Sequence, residues 1–335
     1  MSNHVKGFRH TAKGLPPTHI VGTSVDKVDG YSLVSGAPVY TDDIAAKEFP
    51  HRLHGKILGS PIAHGTITSI DTRSAEELSG VHLVLTFKNT PRTFYTTAGQ
   101  GWPEPSPYDN QMFTERVRFV GDRVAAVFAD TTQVAEEALH RIKVTYQEEP
   151  AVLDASDAMK PDAPLVHPEN PKGAYDPAHN VAAHVDVVVG DVDTALAASE
   201  VRISETFETH YAQHVPMETH TSLAYVDDTG KLTIVSSTQV PWHVRRIVSR
   251  ILGIPMSKLR VIKPRIGGGF GAKQEILIDD LVAYAGLRTG LPCEIELTRK
   301  EEFIASRTRH PMKIDMSIGC DAAGHFKALK MYVLS

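Results

Sequence analysis

The sequence predicts an α+β fold in two domains, and three observations carry that expectation. At 335 residues and 41% hydrophobic content, the chain can bury a substantial interior, and its length suits about two domains. Short runs with strand-like alternation are interspersed with segments of helical apolar spacing, so neither period dominates. Between residues 150 and 180 the chain turns rich in Pro, Asp and Ala with weak periodicity, which places a domain connection there. The expected organisation is an arm over 1–20, a first domain over 21–155, a connection over 156–180 and a second domain over 181–335.

Residues 1–20 are polar and Pro-containing without apolar periodicity, hence the arm. In the first domain, 53–60 and 81–87 read as strands and 97–110 as a long loop. Residues 118–130 read as a turn and a buried strand, 132–142 as a helix, and 143–149 as an alternating strand. The second domain opens with a capped short helix in 190–200 and a strand over 201–211. A hairpin over 222–238 closes at Asp227-Asp228-Thr229-Gly230. Residues 241–253 form an amphipathic helix stopped by Gly253, and 257–266 a strand. After a glycine loop, 274–290 has helical spacing with a Gly stop, and 293–299 is strand-like. The last 23 residues (313–335) read as a hairpin whose final strand stops without a turn or polar tail, and the expectation is an incomplete domain, inactive alone: either a truncated chain or one partner of a split domain whose remainder sits on another chain.

Charged residues make up 22% with a formal net charge of -5, so no basic field attracts nucleic acid or an anionic membrane. The N-terminus lacks the apolar core of a signal peptide, and no segment has a membrane-spanning apolar run, so a soluble cytoplasmic protein is expected. Cys293 and Cys320 read as packed or free thiols, and two cysteines cannot ligate an iron–sulfur cluster that needs four.

Gly267-Gly268-Gly269-Phe270-Gly271-Ala272-Lys273 is the most informative segment. Glycines let backbone N–H groups approach a bound group and adopt positive φ, and a following helix N-terminus would favour an anion or an oxo ligand. A plain glycine turn is the alternative. The P-loop pattern fails, because Ala272 stands where Gly is required and Gln274 where Ser or Thr is. The dinucleotide pattern partly passes: Gly267, Gly269 and Ala272 fit G-x-G-x-x-A, with Glu294 and Glu296 on the next strand-like run. Phe270 inside the turn argues against it, but a nicotinamide-dependent dehydrogenase stays open. His210, His214, Glu218 and His220 cluster near a strand end, as metal ligands or as structural residues.

Taken in order, several segments resemble the molybdenum-binding subunit of the xanthine dehydrogenase and aldehyde oxidase family. Lys27-Val28-Asp29-Gly30, Tyr40-Thr41-Asp42-Asp43-Ile44, GSPIAHGTITSIDTRSA (59–75) and FVGDRVAAVFADT (119–131) resemble its α/β hammerhead domain. Ser237-Thr238-Gln239, GGGFGAKQ and Thr308-Arg309-His310-Pro311 follow in the order of the first part of its molybdopterin-binding domain. The resemblance implies a mononuclear molybdenum centre held by a pyranopterin, in a mono- or cytosine dinucleotide form. Gln239 would donate a hydrogen bond to the metal's apical oxo ligand, and Gly268, Gly269, Phe270, Gly271 and Ala272 would bring backbone close to it. Gln239 and Phe270 would thus sit around molybdenum without ligating it. The implied reaction hydroxylates a purine, N-heterocycle or aldehyde with water as oxygen source, and electrons pass to [2Fe-2S] and FAD on an iron–sulfur subunit and an FAD subunit.

Purine-oxidising relatives often carry Glu after the lysine of GGGFGxK, where this chain has Gln274; an amide holds no charge, so Gln274 leaves the substrate open. The family's glutamate base lies beyond these residues. A non-catalytic scaffold that keeps the fold is a third reading.

Overall fold

In the computed structural model, residues 24–97 and 107–335 are described, and the chain divides into two compact units at Val39 and Tyr40. The smaller unit has one helical turn, α1 (Gly30–Val34), whose entry is tied by Ser32 Oγ donating to the Asp29 carbonyl at 2.9 Å. The expected arm over 1–20 and most of the expected loop over 97–110 lie outside the described residues.

The larger unit begins with α2 (Thr41–Glu48), a helix the apolar spacing does not predict. Asp43 accepts from the Tyr40 N–H at 2.9 Å, and Asp42 and Asp43 in the first turn suit its positive end. Then come β1 (Leu53–Gly59), β2 (Gly65–Asp71), α3 (Arg73–Glu76), β3 (Val81–Thr86), β4 (Arg116–Val117) and β5 (Arg123–Ala129). From Val124 to Ala129 every residue of β5 is buried, as its unbroken apolar run requires. The Thr131 hydroxyl caps α4 (Thr132–Arg141) by accepting from Val134 N, and β6 (Lys143–Glu148) follows.

Beyond α5 (Ala155–Ala158) the chain is largely irregular up to α6 (Val192–Ala197), which Asp191 caps. Next are β7 (Val201–Thr209), β8 (Ala212–Gln213), β9 (Thr221–Val226) and β10 (Leu232–Ser236). Pro241 opens α7 (Pro241–Leu252), its stripe His243, Val244, Ile247, Val248 and Ile251 is buried, and Gly253 in the left-handed region ends it. β11 (Leu259–Ile262) is shorter than its expected span. After the glycine loop come α8 (Asp279–Thr289), β12 (Cys293–Glu296), α9 (Arg299–Ala305), β13 (Thr308–Arg309), β14 (Met312–Cys320) and β15 (Phe326–Leu334).

One seven-stranded sheet, in the order β11-β10-β9-β12-β1-β5-β3, takes strands from both sides of the expected connection. The join is a short parallel contact, Leu53 opposite Cys293 and His54 opposite Glu294. Gly55 permits it, since a Cβ there would fall 2.5 Å from Ile295 and 2.6 Å from Phe128. A single apolar core crosses the join, placing Leu53, Leu85 and Phe128 with Ile234, Ile247 and Leu281. Beneath it, Arg123 pairs with fully buried Asp280 at 2.9 Å, and the Tyr95 hydroxyl donates to the same carboxylate at 3.2 Å. The remaining strands form β4-β2-β6, β15-β14-β7 and the pair β13-β8. Among the described residues, no helix is long and apolar enough to cross a membrane.

Candidate functional site

The glycine loop leaves β11 and packs against two segments, 213–220 and Ser237–Gln239. Gly267 N donates to Glu218 Oε2 at 2.7 Å while Glu218 N donates to Gly267 O at 3.1 Å, so a Cβ on Gly267 would strike the Glu218 side chain at 2.6 Å. A Cβ on Gly269 would lie 2.5 Å from Gln239 Oε1. Gly268 and Gly271 both have φ +103, and Phe270 has φ 51 with its ring 71% exposed. A non-glycine residue held there costs about 1–3 kcal/mol, so its surroundings must enforce it. Ala272 N donates to Gly269 O at 2.8 Å and Gln274 N to Gly271 O at 3.1 Å, closing the turn.

That closure corrects the expected helix over 274–290. Residues Ala272–Gln274 make one 3-10 turn, Glu275 is extended with φ -115 and ψ 168, and α8 begins only at Asp279. Glu275 is drawn outward by an ion pair with Arg307 and a 2.9 Å hydrogen bond from Thr97. No helix N-terminus therefore adds its partial charge to the loop, and the strand–loop–helix unit that a dinucleotide site requires is not formed. Nor does Glu294 face such a site: Arg52 Nε donates to one carboxylate oxygen, the other is buried without a partner, and burial pushes the carboxyl up to about 7 against the pull of Arg52.

All three residues of Ser237-Thr238-Gln239 are used. Ser237 Oγ accepts from Thr221 N at 3.0 Å, and Thr238 Oγ1 donates to Lys273 O at 3.3 Å. Gln239 N donates to Lys273 O at 2.8 Å, and Gln239 Oε1 accepts from Gly271 N at 3.1 Å. A backbone N–H can only donate, so the oxygen of the Gln239 amide must face it and the NH2 group is turned away. Among the described residues that NH2 meets no acceptor. It can donate to a bound oxygen, next to a turn where Gly271 presents no side chain.

Buried charges support the turn. Lys273 is fully buried, with Nζ 2.8 Å from Glu218 Oε2; burial lowers its pKa and Glu218 pulls it back. His220 donates its backbone N–H to Glu302 at 3.0 Å, its Nδ1 lies 2.9 Å from the same carboxylate, and its Nε2 lies 3.2 Å from Ala272 O. Burial would raise the Glu302 carboxyl, but hydrogen bonds from His220 outweigh it and hold the group below the usual range. His214 Nδ1 lies 3.2 Å from Arg307 O, and its Nε2 would be 3.7 Å from a Cβ on Gly271. Of the four residues considered as a metal cluster, Glu218 and His220 are thus engaged elsewhere, and no group of three metal-ligating side chains gathers among the described residues.

The sequence reading missed α9 and with it Glu302. A signal was present: Thr298-x-x-Glu301 is a capping box, and Thr298 Oγ1 accepts from Glu301 N at 3.2 Å while Glu301 accepts from Thr298 N at 2.6 Å. A cleft of about 830 Å³ between β1, α4 and α9 contains neither Gln239 nor any residue of the loop.

Residues 35–150 match the family model described as the a/b hammerhead domain of aldehyde oxidase and xanthine dehydrogenase, and residues 174–335 match the molybdopterin cofactor-binding domain. The chain is 39% identical over 340 residues to the probable hypoxanthine oxidase XdhD of Escherichia coli strain K12, covering 93% of this chain and 35% of that protein. It is 35% identical over 314 residues to the xanthine dehydrogenase molybdenum-binding subunit of Escherichia coli O157:H7, covering 92% of this chain and 40% of that one. The solved aldehyde oxidoreductase from Desulfovibrio gigas superposes with a TM-score of 0.80 at 26% identity, over 91% of this chain and 33% of that chain. The chain therefore spans little more than a third of the length of these relatives.

Proposed function

Since the chain belongs to the xanthine dehydrogenase and aldehyde oxidase family of molybdenum hydroxylases, we propose that it forms the part of such an enzyme that faces the molybdopterin cofactor from the side of Gln239 and the glycine loop. The observation that carries this reading is the Gln239 amide, whose oxygen is engaged by Gly271 and whose NH2 has no acceptor among the described residues. When bound, the molybdenum cofactor supplies two-electron oxidation of a substrate carbon, with water as the source of the oxygen added.

The chain's own residues then bind and orient. Gln239 donates to an acceptor of the cofactor, and the Gly268–Ala272 backbone lines the approach that side chains would block. Phe270, exposed and held at positive φ, borders the same space. Proton abstraction falls to a group outside these residues, because the carboxylates nearest the loop are committed: Glu218 to Lys273, Glu302 to His220 and Glu275 to Arg307. The iron–sulfur and flavin groups that would take up the two electrons belong to partner chains in this reading, since the two cysteines of these 335 residues cannot hold a cluster. Substrates are purines, N-heterocycles or aldehydes, with Gln274 as the neutral residue at the position that would otherwise carry charge toward a heterocycle.

A further partner follows from the apolar face of β15-β14-β7. In this reading it packs against a further portion of the molybdenum domain supplied outside these residues, as the 35% coverage of the XdhD relative leaves room for.

Metal analysis tests the reading. Purified with the chains that accompany it, the protein contains molybdenum together with iron and flavin. An enzymatically active preparation free of molybdenum overturns the proposal.

A further inference from the structure

We propose that Glu302 is a positioning residue for the Gln239 amide, acting through His220 and the Ala272 carbonyl. The inference rests on the reading of Gln239 as the residue that meets a ligand. Glu302 itself touches no residue of the glycine loop by hydrogen bond. Its fully buried carboxylate accepts from His220 N at 3.0 Å and faces His220 Nδ1 at 2.9 Å, and the far ring nitrogen lies 3.2 Å from Ala272 O. A carbonyl oxygen can only accept, so His220 Nε2 donates to it. The imidazole is thus a strut between α9 and the turn.

What the strut holds is the peptide between Ala272 and Lys273. On one side of that peptide, Lys273 O accepts from Gln239 N at 2.8 Å and from Thr238 Oγ1 at 3.3 Å. On the other, Gly271 N donates to Gln239 Oε1 at 3.1 Å. The side chain and the backbone of Gln239 are therefore referenced to the Phe270–Gly271 and Lys273–Gln274 peptides, which lie on either side of the peptide the strut holds. If the Ala272 carbonyl is released, that peptide can rotate in a turn already free of side-chain restraint at Gly271, and both reference points move together. Removal of the imidazole also leaves the Ala272 carbonyl without its donor and the buried Glu302 carboxylate with the His220 backbone N–H alone, which disfavours the closed turn.

A merely structural role for Glu302 would be to anchor α9, and α9 has other anchors. The Thr298 capping box closes its start, Glu301 pairs with Lys56 at 2.8 Å, Arg299 donates to Pro216 O at 2.7 Å, and Gln213 Nε2 donates to Glu302 O at 3.1 Å. None of these requires the Glu302 carboxylate. Its loss is felt at the loop.

Backbone amide exchange of the full chain, with any subunits that copurify, reads this directly and needs no cofactor. In Glu302→Gln, exchange at Gln239 and Gly271 accelerates by roughly tenfold or more, while the amides that pair β5 with β3 and β14 with β15 keep their wild-type rates. Glu302→Asp restores part of the protection. Should Glu302→Gln fail to fold, His220→Asn carries the same test, since it keeps the backbone donor to Glu302 and removes only the reach to Ala272. Unchanged exchange at Gln239 and Gly271, or an acceleration shared equally by the reference strands, overturns the proposal. Failure of the functional reading would show separately, as wild-type enzyme without molybdenum.

Discussion

The seven-stranded sheet and the three-stranded sheet β15-β14-β7 are built from runs that look equally strand-like, and they meet opposite fates. Every residue of β10 (Leu232–Ser236) is buried, whereas every residue of β7 (Val201–Thr209) is exposed. In the first case α8 packs across β9, β10 and β12, and α2 lies against β9. In the second, α6 packs mainly on β14 and β15, where Gly319 makes room for Ser199 and Lys330 reaches Asp193. Pairing puts Ile203, Ile318 and Leu329 in one row and Glu205, Met316 and Met331 in another, both on the face opposite α6. The covered face is largely polar and the open face largely apolar. Alternation thus says which face seeks a partner, and only the neighbouring layer says whether it has found one.

The sharpest way to break the comparison is to disturb the buried polar seam that the seven-stranded sheet has and the small sheet lacks. Asp280→Ala strands the Arg123 guanidinium and the Tyr95 hydroxyl, and should cost about 3–5 kcal/mol in denaturant unfolding. A loss below about 1 kcal/mol would mean that water reaches the seam.

At the edge of the same sheet, in the assembled enzyme, Gln239→Ala would remove the hydrogen bond proposed to reach the cofactor, worth roughly 1.5–3 kcal/mol, together with the acceptor of Gly271 N. Turnover should fall at least about tenfold with molybdenum content near normal. Equal turnover would remove Gln239 from the site.

The join of β1 and β12 offers a pH test. Because burial raises the folded carboxyl of Glu294 to about 7, the native state keeps a proton there that the unfolded chain releases above the ordinary glutamate value of 4.5. Stability linked to this group is therefore largest below that value and is lost as pH rises toward 7, with a slope of at most about 1.4 kcal/mol per pH unit. Subtracting the profile of Glu294→Gln from wild type should isolate that slope. A flat difference, or one that rises with pH, would show that Arg52 dominates instead.

The smallest effect on stability belongs to the open sheet. Phe207→Ser and Met331→Ser, at residues 50% and 54% exposed, should each change unfolding free energy by no more than about 0.5 kcal/mol. They should nevertheless weaken association through that face, as sedimentation would register. A large loss of monomer stability would mean that the face is already covered within the chain.

Much of this molecule is written locally. Gly253 and Gly290 stop α7 and α8 because each takes the left-handed conformation that a side chain resists, and Asp191 and Thr131 cap the helices that follow them. The hairpin of β9 and β10 turns at the Asp227–Gly230 run that announces it. Gln239 and the glycine turn could be singled out as well, since side-chain-free backbone beside a polar residue is a pattern of composition and order. The helix start expected at Gln274 was misplaced because Glu275 is pulled out by Arg307, a partner 32 residues away.

By itself, then, the sequence determined most of the strands and helices, though not α2, α9 or the start of α8, together with several caps, the glycine turn and the apolar face of the strands, since each of these depends on residues within a few positions of one another. Only the tertiary structure decided that one sheet would run through both halves of the chain. The same holds for the pairing of Glu302 with His220 across 82 residues and for the orientation of the Gln239 amide toward Gly271. Those outcomes rest on hydrogen bonds and charges whose partners are chosen by distance in space, and a buried charge is stable only beside the partner that the fold delivers.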